Sequence, residues 1–366
     1  MSPFAPLVAA LPATVPFVGP EAQERARGRP FRARLGANES VFGPAPQAVE
    51  AMARAAAECW RYGDPEGCDL KAALAEAHAT TPAHVVIGEG IDGLLGLALR
   101  LFVAPGAAVV TSAGAYPTFN YHVAGLGARL IAVPYRDDRE DLDALAEAAR
   151  AERARVVYLA NPDNPMGSWS RGAEVAAMLD RLPSDCILFL DEAYAEFAPP
   201  EALPALAADD PRAIRFRTFS KAHGLAGLRV GCALAAPELS AGFDRVRNHF
   251  GVGRLAQAGA LAALGAADHL AEVAARVGRG RRRLGEIAAA NGLRALPSAA
   301  NFVAIDCGRD GAFARRVLAG LLERDVFVRM PAVAPLDRCV RLTVGTEADL
   351  DLFAEILPQA LAAARA

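Results

Sequence analysis

The chain has 366 residues, with 53% hydrophobic and 22% charged side chains and a formal net charge of -3. A balance so close to neutral argues against nucleic acid or an anionic membrane as a partner. The length favours two domains, with apolar residues enough for a sizeable core.

The first 20 residues are apolar but are broken by Pro3, Pro6, Pro12 and Pro16, and they lack a basic leading cluster. They do not read as a signal peptide. No uninterrupted apolar run is long enough to span a bilayer. From about Leu70 to Leu234, helical patterns alternate with short apolar runs that end in polar residues. Leu70 to His78 reads as a helix, His84 to Ile87 as a strand, and Gly93 to Phe102 as a helix. Strands follow at Ala107 to Thr111 and Ala128 to Val133, then a helix from Leu142 to Arg150. Arg155 to Ala160 and Cys186 to Leu190 are nearly continuous in apolar residues, as a sheet covered on both faces requires. This alternation predicts an α/β domain with mostly parallel strands.

After about Leu239 the pattern changes. A long Ala-rich helix includes Leu264 to Leu284, with the basic cluster Arg279 to Arg283 on its solvated face. Strands are expected at Asn301 to Ile305, Val326 to Arg329 and Cys339 to Val344, and helices at Phe313 to Arg324 and Glu347 to Ala364. These elements describe a smaller α+β domain. Six scattered cysteines contain no C-x-x-C pair, so neither a disulfide framework nor a metal site is expected. The chain reads as a cytoplasmic protein.

The polar motifs fall between these elements. Gly88-Glu-Gly-Ile-Asp-Gly93 follows a strand and opens a helix, but the next strand ends without the carboxylate a dinucleotide ribose needs. It is a phosphate cradle or a ligand-free glycine turn. Asn161-Pro-Asp-Asn-Pro-Met-Gly167 and Asp191-Glu-Ala-Tyr194 lie beyond strand ends, where open parallel sheets bind ligands. Lys221 sits in a run of small and apolar residues, flanked by Thr218, Ser220 and Arg229. A lysine is costly to bury unless its charge is paired or its pKa falls. The hydroxyls and guanidinium suit a phosphate, and the amine suits imine formation with a carbonyl. Arg341, on an alternating strand, is either exposed or a partner for a substrate carboxylate.

The order G-x-G-x-D, N-P-x-N-P-x-G, D-E-A-Y, T-x-S-K-x-x-x-L-x-G-x-R-x-G and a late R-L-T-x-G-T resembles the fold-type I, class I/II aminotransferases. Within them it is most similar to the histidinol-phosphate aminotransferase branch, and the resemblance runs from about Leu35 to Leu352. It implies pyridoxal 5′-phosphate as cofactor, with Lys221 bonded to its aldehyde and Asp191 paired with its ring N–H. Tyr194 and Asn164 would bond the phenolic oxygen. Phosphate would be held by the N–H groups of Ile91 and Asp92, by Thr218 or Ser220, and by Arg229. Phe119 would stack on the ring, and Tyr62 would reach the site of the partner in a homodimer. Arg341, Arg329 and Asn38 would meet the substrate.

The resemblance also implies three segments: an N-terminal arm over residues 1–35, a large cofactor-binding domain over 36–240, and a small C-terminal domain over 241–366. The expected reaction moves an amino group from an amino acid or amino-alcohol phosphate, aromatic or histidinol-phosphate-like, to a 2-oxo acid such as 2-oxoglutarate. The threonine-phosphate decarboxylases are similar here and imply a lyase as the alternative. Departures fall near the substrate: Ile91 stands where a small residue or serine is usual, Met166 for a threonine and His122 for a tyrosine. The segment after Asn38-Glu39 is shortened.

Overall fold

The computed structural model describes residues 3–12 and 17–366; Met1, Ser2 and residues 13–16, Pro16 among them, lie outside the described residues. Twelve strands are described: β1 (Ala33–Arg34), β2 (Val85–Gly88), β3 (Ala108–Ser112), β4 (Arg129–Val133), β5 (Val156–Ala160), β6 (Ile187–Asp191), β7 (Ala213–Thr218), β8 (Gly231–Leu234), β9 (Arg294–Ala295), β10 (Phe302–Asp306), β11 (Val326–Phe327) and β12 (Cys339–Thr343). Seven of them form one sheet in the order β2-β8-β7-β6-β5-β3-β4. β8 runs against both of its neighbours, and the other six are parallel.

Every residue of β3, β5 and β6 is buried. That is the physical reason for their near-continuous apolar runs, since helices cover both faces of the sheet. One face packs on the helix Gly90–Phe102, through Leu94, Leu95, Ala98 and Leu99. The other packs on the helices Leu142–Ala151 and Gly172–Arg181, through Leu145, Ala149, Val175 and Leu179. The first of these begins on Asp141, whose carboxylate accepts from the Ala144 N–H at 3.1 Å, the usual device for an otherwise unpartnered first turn.

A second layer joins β12, β10 and β9 in an antiparallel sheet, covered by the helices Ala267–Ala290, Gly311–Glu323 and Glu347–Arg365. The Ala-rich stretch is two helices rather than one, Arg254–Leu264 and Ala267–Ala290, interrupted at Gly265 and Ala266. Arg281 in the basic cluster is half-buried, not solvated, and its guanidinium donates to the carbonyls of Ala300 at 3.2 Å and Phe197 at 3.5 Å.

The segment expected as an arm is anchored to this layer. β1 pairs in parallel with β11, and Ala33 and Leu35 enter the apolar core of the second layer. Arg34 pairs with Glu21 and Glu24, and Arg27 and Arg29 pair with Asp325. That core also takes in Tyr194, Phe197 and Ala222 from the large sheet's loops. The two layers meet above the carboxyl ends of the parallel strands, and the chain's polar motifs collect there. Among the described residues no helix is long and apolar enough to cross a membrane.

Candidate active site

The rim of the sheet sets the first group of residues. Asp191 is the last residue of β6 and pairs in register with Ala160 and Phe216. Thr218 ends β7 opposite Gly231, which is opposite Gly88 at the end of β2. Three strand ends and the loops beyond them therefore face one cleft.

Asp191 is buried, and its carboxylate accepts from the Tyr158 hydroxyl at 2.7 Å and the Ala193 N–H at 3.0 Å. Burial pushes it up to about 6; Tyr158, Ala193 and the Lys221 charge act in the opposite direction. Its neighbour Glu192 turns the other way. That carboxylate is 1% exposed and is held by Arg215 at 3.0 Å and Arg217 at 2.9 Å. Two guanidinium partners make this buried charge tolerable and pin the turn that carries Asp191.

Lys221 is half-buried, and its amine donates to the Asn38 carbonyl at 3.1 Å and lies 5.7 Å from the Tyr194 ring centroid. Desolvation, helped by the Arg341 charge, lowers its pKa to about 8. Asn38 is the hub of this region. Its side-chain amide donates to the Tyr194 hydroxyl at 2.9 Å, and its own N–H donates to Thr343 Oγ1 at 2.9 Å. Its φ of 55° lies in the left-handed region, which asparagine tolerates better than most residues.

Arg341 on β12 is half-buried, not exposed, and donates to Asn164 Oδ1 and to the Gly36 carbonyl at 3.2 Å. Its Nε is buried without a partner, and burial lowers its pKa to about 10. A guanidinium that makes no ion pair among the described residues, with one donor left over, is suited to an incoming anion. Arg329 forms a β-bridge with Arg341, sits 4.0 Å over the Phe17 ring and donates to the Val18 carbonyl at 3.1 Å.

The cradle is formed by the helix Gly90–Phe102, whose first-turn N–H groups, those of Ile91 and Asp92 among them, have no partner within the helix. Gly90 has a φ of 74°, and a Cβ there would lie 2.4 Å from Arg229 Nη2. Only glycine lets the guanidinium come this close. Arg229 Nη1 donates to Ser220 Oγ at 3.3 Å, and Thr218 Oγ1 accepts from the Ser220 N–H at 3.0 Å. β2 lies at the sheet edge and pairs only with the antiparallel β8. This is not the central strand of a dinucleotide-binding unit, and the nearness of Arg229 and Ser220 suits a phosphate at the turn.

These residues fit pyridoxal 5′-phosphate. An amine with a lowered pKa, a carboxylate without an ion pair, and a glycine-lined cradle under an arginine meet its aldehyde, its ring nitrogen and its phosphate respectively.

Phe119 is fully buried and stacked on Tyr158, with centroids 4.3 Å apart and planes at 20°. Tyr158 takes one face of its ring. Tyr116, at the N-cap of the same helix, is half-buried, and its hydroxyl senses Asp92, Asp191 and Arg229, which border both ends of the cleft. Tyr116 and Phe119 are three residues apart on a segment with weak periodicity, so both are candidates for the ring. Tyr62 is not in this cleft; it is 78% exposed and stacks on Phe250 at 4.7 Å. Tyr158 was missed, although a lone hydroxyl within a fully buried strand needs a partner.

Comparison with known proteins gives the family. The aminotransferase class I and II family matches residues 33–357. The chain belongs to that family. It is 38% identical to histidinol-phosphate aminotransferase 2 of Ralstonia nicotianae, over 91% of this chain and 90% of that protein. It is 34% identical to histidinol-phosphate aminotransferase of Moorella thermoacetica, over 90% of this chain and 85% of that protein. Among solved structures, histidinol-phosphate aminotransferase from Sinorhizobium meliloti in complex with pyridoxal-5′-phosphate superposes with a TM-score of 0.96. The two are 53% identical, over 99% of this chain and 98% of that one. Aspartate aminotransferase from Thermus thermophilus with maleate, 22% identical with a TM-score of 0.83 over 99% and 100% of the chains, shares the fold.

Proposed function

We propose that this aminotransferase uses pyridoxal 5′-phosphate to move an amino group from histidinol phosphate, or a close analogue, to a 2-oxo acid such as 2-oxoglutarate. The observation that carries the substrate reading is the pair Arg329 and Arg341. They are bridge neighbours, both are half-buried, and burial lowers the pKa of both. Two adjacent guanidinia that make no ion pair among the described residues suit a phosphate on one substrate and a carboxylate on the other, taken in turn.

The bound cofactor supplies a pyridinium ring that accepts the electron pair left when the substrate's Cα–H bond breaks. Asp191 keeps that ring nitrogen protonated, and Tyr158 and Ala193 hold the carboxylate in place. Tyr194 and Asn164 reach the phenolic oxygen. Ile91, Asp92, Thr218, Ser220 and Arg229 hold the phosphate, and Tyr116 covers the ring. Lys221 would hold the cofactor through its aldehyde, and as a free amine it would take the proton from the substrate's Cα and return it on the cofactor side of the substrate nitrogen. Its lowered pKa leaves a large neutral fraction near pH 8, as a base requires.

The working unit is proposed to be a homodimer, with Tyr62 of one protomer completing the other's phosphate site. Support comes from the exposed aromatics Trp60, Tyr62 and Phe250 on one surface, and from a groove of about 590 Å³ beside the cradle, lined by Gly93, Gly96, Tyr121 and His122. Six unpaired thiols suit the reducing cytoplasm.

Incubation with histidinol phosphate, phenylalanine or tyrosine plus 2-oxoglutarate tests the reaction. Glutamate formation fastest with histidinol phosphate is expected. No glutamate from any donor would refute transamination of this class, and carbon dioxide release without an acceptor would select a lyase.

A further inference from the structure

Behind Asp191 lie two more buried acids that the proposed chemistry leaves unused. Glu140 is on the loop between β4 and the helix Leu142–Ala151, and Asp163 is in the loop after β5. Glu140, Asp163 and Asp191 are 7%, 1% and 6% exposed. Asp163 accepts from the Tyr135 hydroxyl at 2.8 Å and the Met166 N–H at 3.0 Å. Glu140 Oε1 has no hydrogen-bond partner.

The loop is held so that Glu140 points inward. Its neighbours Asp138 and Asp141 make the loop's ion pairs, with Arg338 at 2.8 Å and Arg136 at 3.1 Å. Glu140 makes none among the described residues. The groups facing it are Ser112 at the end of β3, the backbone of Ala160 at the end of β5, Asp163 and Asp191, with Tyr135 and Tyr158 close by. No cation is in that set. Arg341 faces Asp163, and Lys221 faces Asp191.

Three buried carboxyls with no ion pair cannot all ionise, because each charge is costly to desolvate and repels the others. The proton goes to the member that has an oxygen without a partner among the described residues and no cation facing it, which is Glu140. We propose that Glu140 is a buried neutral carboxylic acid, and that its holding a proton beside Asp163 keeps the cluster's negative charge on Asp191. The order of the three groups agrees: burial pushes Asp191 up to about 6, Asp163 up to about 7 and Glu140 well above the carboxylate range. Such a pair titrates as a unit. Glu140 is thus a positioning residue: an ionised Glu140 would raise the proton affinity of Asp191 and remove the charge that the ring nitrogen needs. The consequence for Asp191 rests on the proposed function; the proton on Glu140 does not.

Infrared spectra of the cofactor-free protein near pH 7 test the proton directly. The wild-type is expected to show a protonated-carboxyl carbonyl band, shifted by deuterium oxide, that Glu140→Gln removes and Asp163→Asn retains. The amide reproduces the neutral acid's shape and donor, so Glu140→Gln should bind pyridoxal 5′-phosphate within about twofold of wild-type. Absence of the band in wild-type protein, its loss in Asp163→Asn instead, or affinity weakened more than about tenfold in Glu140→Gln would overturn the proposal. If Glu140→Gln fails to fold, the wild-type and Asp163→Asn spectra still decide. If wild-type protein binds no cofactor, the proposed function fails while the spectra still judge Glu140.

Discussion

The amine of Lys221 donates to the backbone carbonyl of Asn38, 3.1 Å away and 183 positions earlier in the chain. The same asparagine holds the Tyr194 hydroxyl and meets Thr343 on β12. One buried residue therefore joins the lysine loop, the turn after β6 and the second layer, and the first prediction concerns it.

Asn38→Gly keeps a backbone that accepts positive φ but strands the Tyr194 and Thr343 hydroxyls, and should cost about 1–3 kcal/mol. Asn38→Ala strands the same hydroxyls and, unlike glycine, keeps a Cβ in the left-handed region without the amide that eases it there, and should cost about 1–2 kcal/mol more than glycine. Urea unfolding of the cofactor-free protein reads both. Alanine milder than glycine would contradict the strained-hub account.

Lys221 carries a stability signature. Its folded pKa of about 8 lies below the ordinary 10.5, so the unfolded chain binds more protons between those values. Stability of the cofactor-free protein should rise with pH through that window and stay flat below it, as far as this group is concerned. The Lys221→Met variant should lack the rise, which should therefore appear whole in the wild-type minus variant difference. It should also lower turnover by at least about a thousandfold, the scale of losing a positioned base and nucleophile. A rise that survives in the variant would assign it elsewhere.

Gly90→Ala places a methyl 2.4 Å from Arg229 Nη2 at a φ of 74°. The guanidinium must move, so affinity for pyridoxal 5′-phosphate should fall by about 10- to 100-fold, as expected for a charge-assisted contact worth 1.5–3 kcal/mol. Affinity for unphosphorylated pyridoxal should change little. Equal losses for both compounds, in parallel titrations, would place the damage outside the phosphate site.

Tyr116 and Phe119 should separate into binding and stability. Tyr116→Ala should weaken cofactor affinity by about five- to tenfold, the worth of an aromatic face, with little change in the melting transition. Phe119→Ala should cost about 3–5 kcal/mol of stability through the cavity it leaves. The reverse pattern would restore Phe119 to the ring.

Much of the scaffold was legible because burial leaves a one-dimensional record. β5 and β6 are covered on both faces and read as unbroken apolar runs, and Asp191 stood out as the first charge after one of them. Lys221 and Arg229 were legible for a related reason: charged groups placed among small residues need partners. The weakest reading was the segment 116–122, where aromatics recur too often for spacing to say which one faces inward. The Ala-rich stretch failed differently, because alanine favours helix throughout and hides the interruption at Gly265.

By itself the sequence determined which strands are doubly covered, which turns carry polar groups and which lysine is too costly to leave without a task. Tertiary structure decided what those groups meet. Asn38 reaches Lys221, and Arg341 reaches Asn164, only because β8 runs against its neighbours and the second layer closes over the strand ends. Periodicity encodes whether a side chain faces in or out. Its partner there is set by strand order and layer packing, which depend on contacts across hundreds of positions.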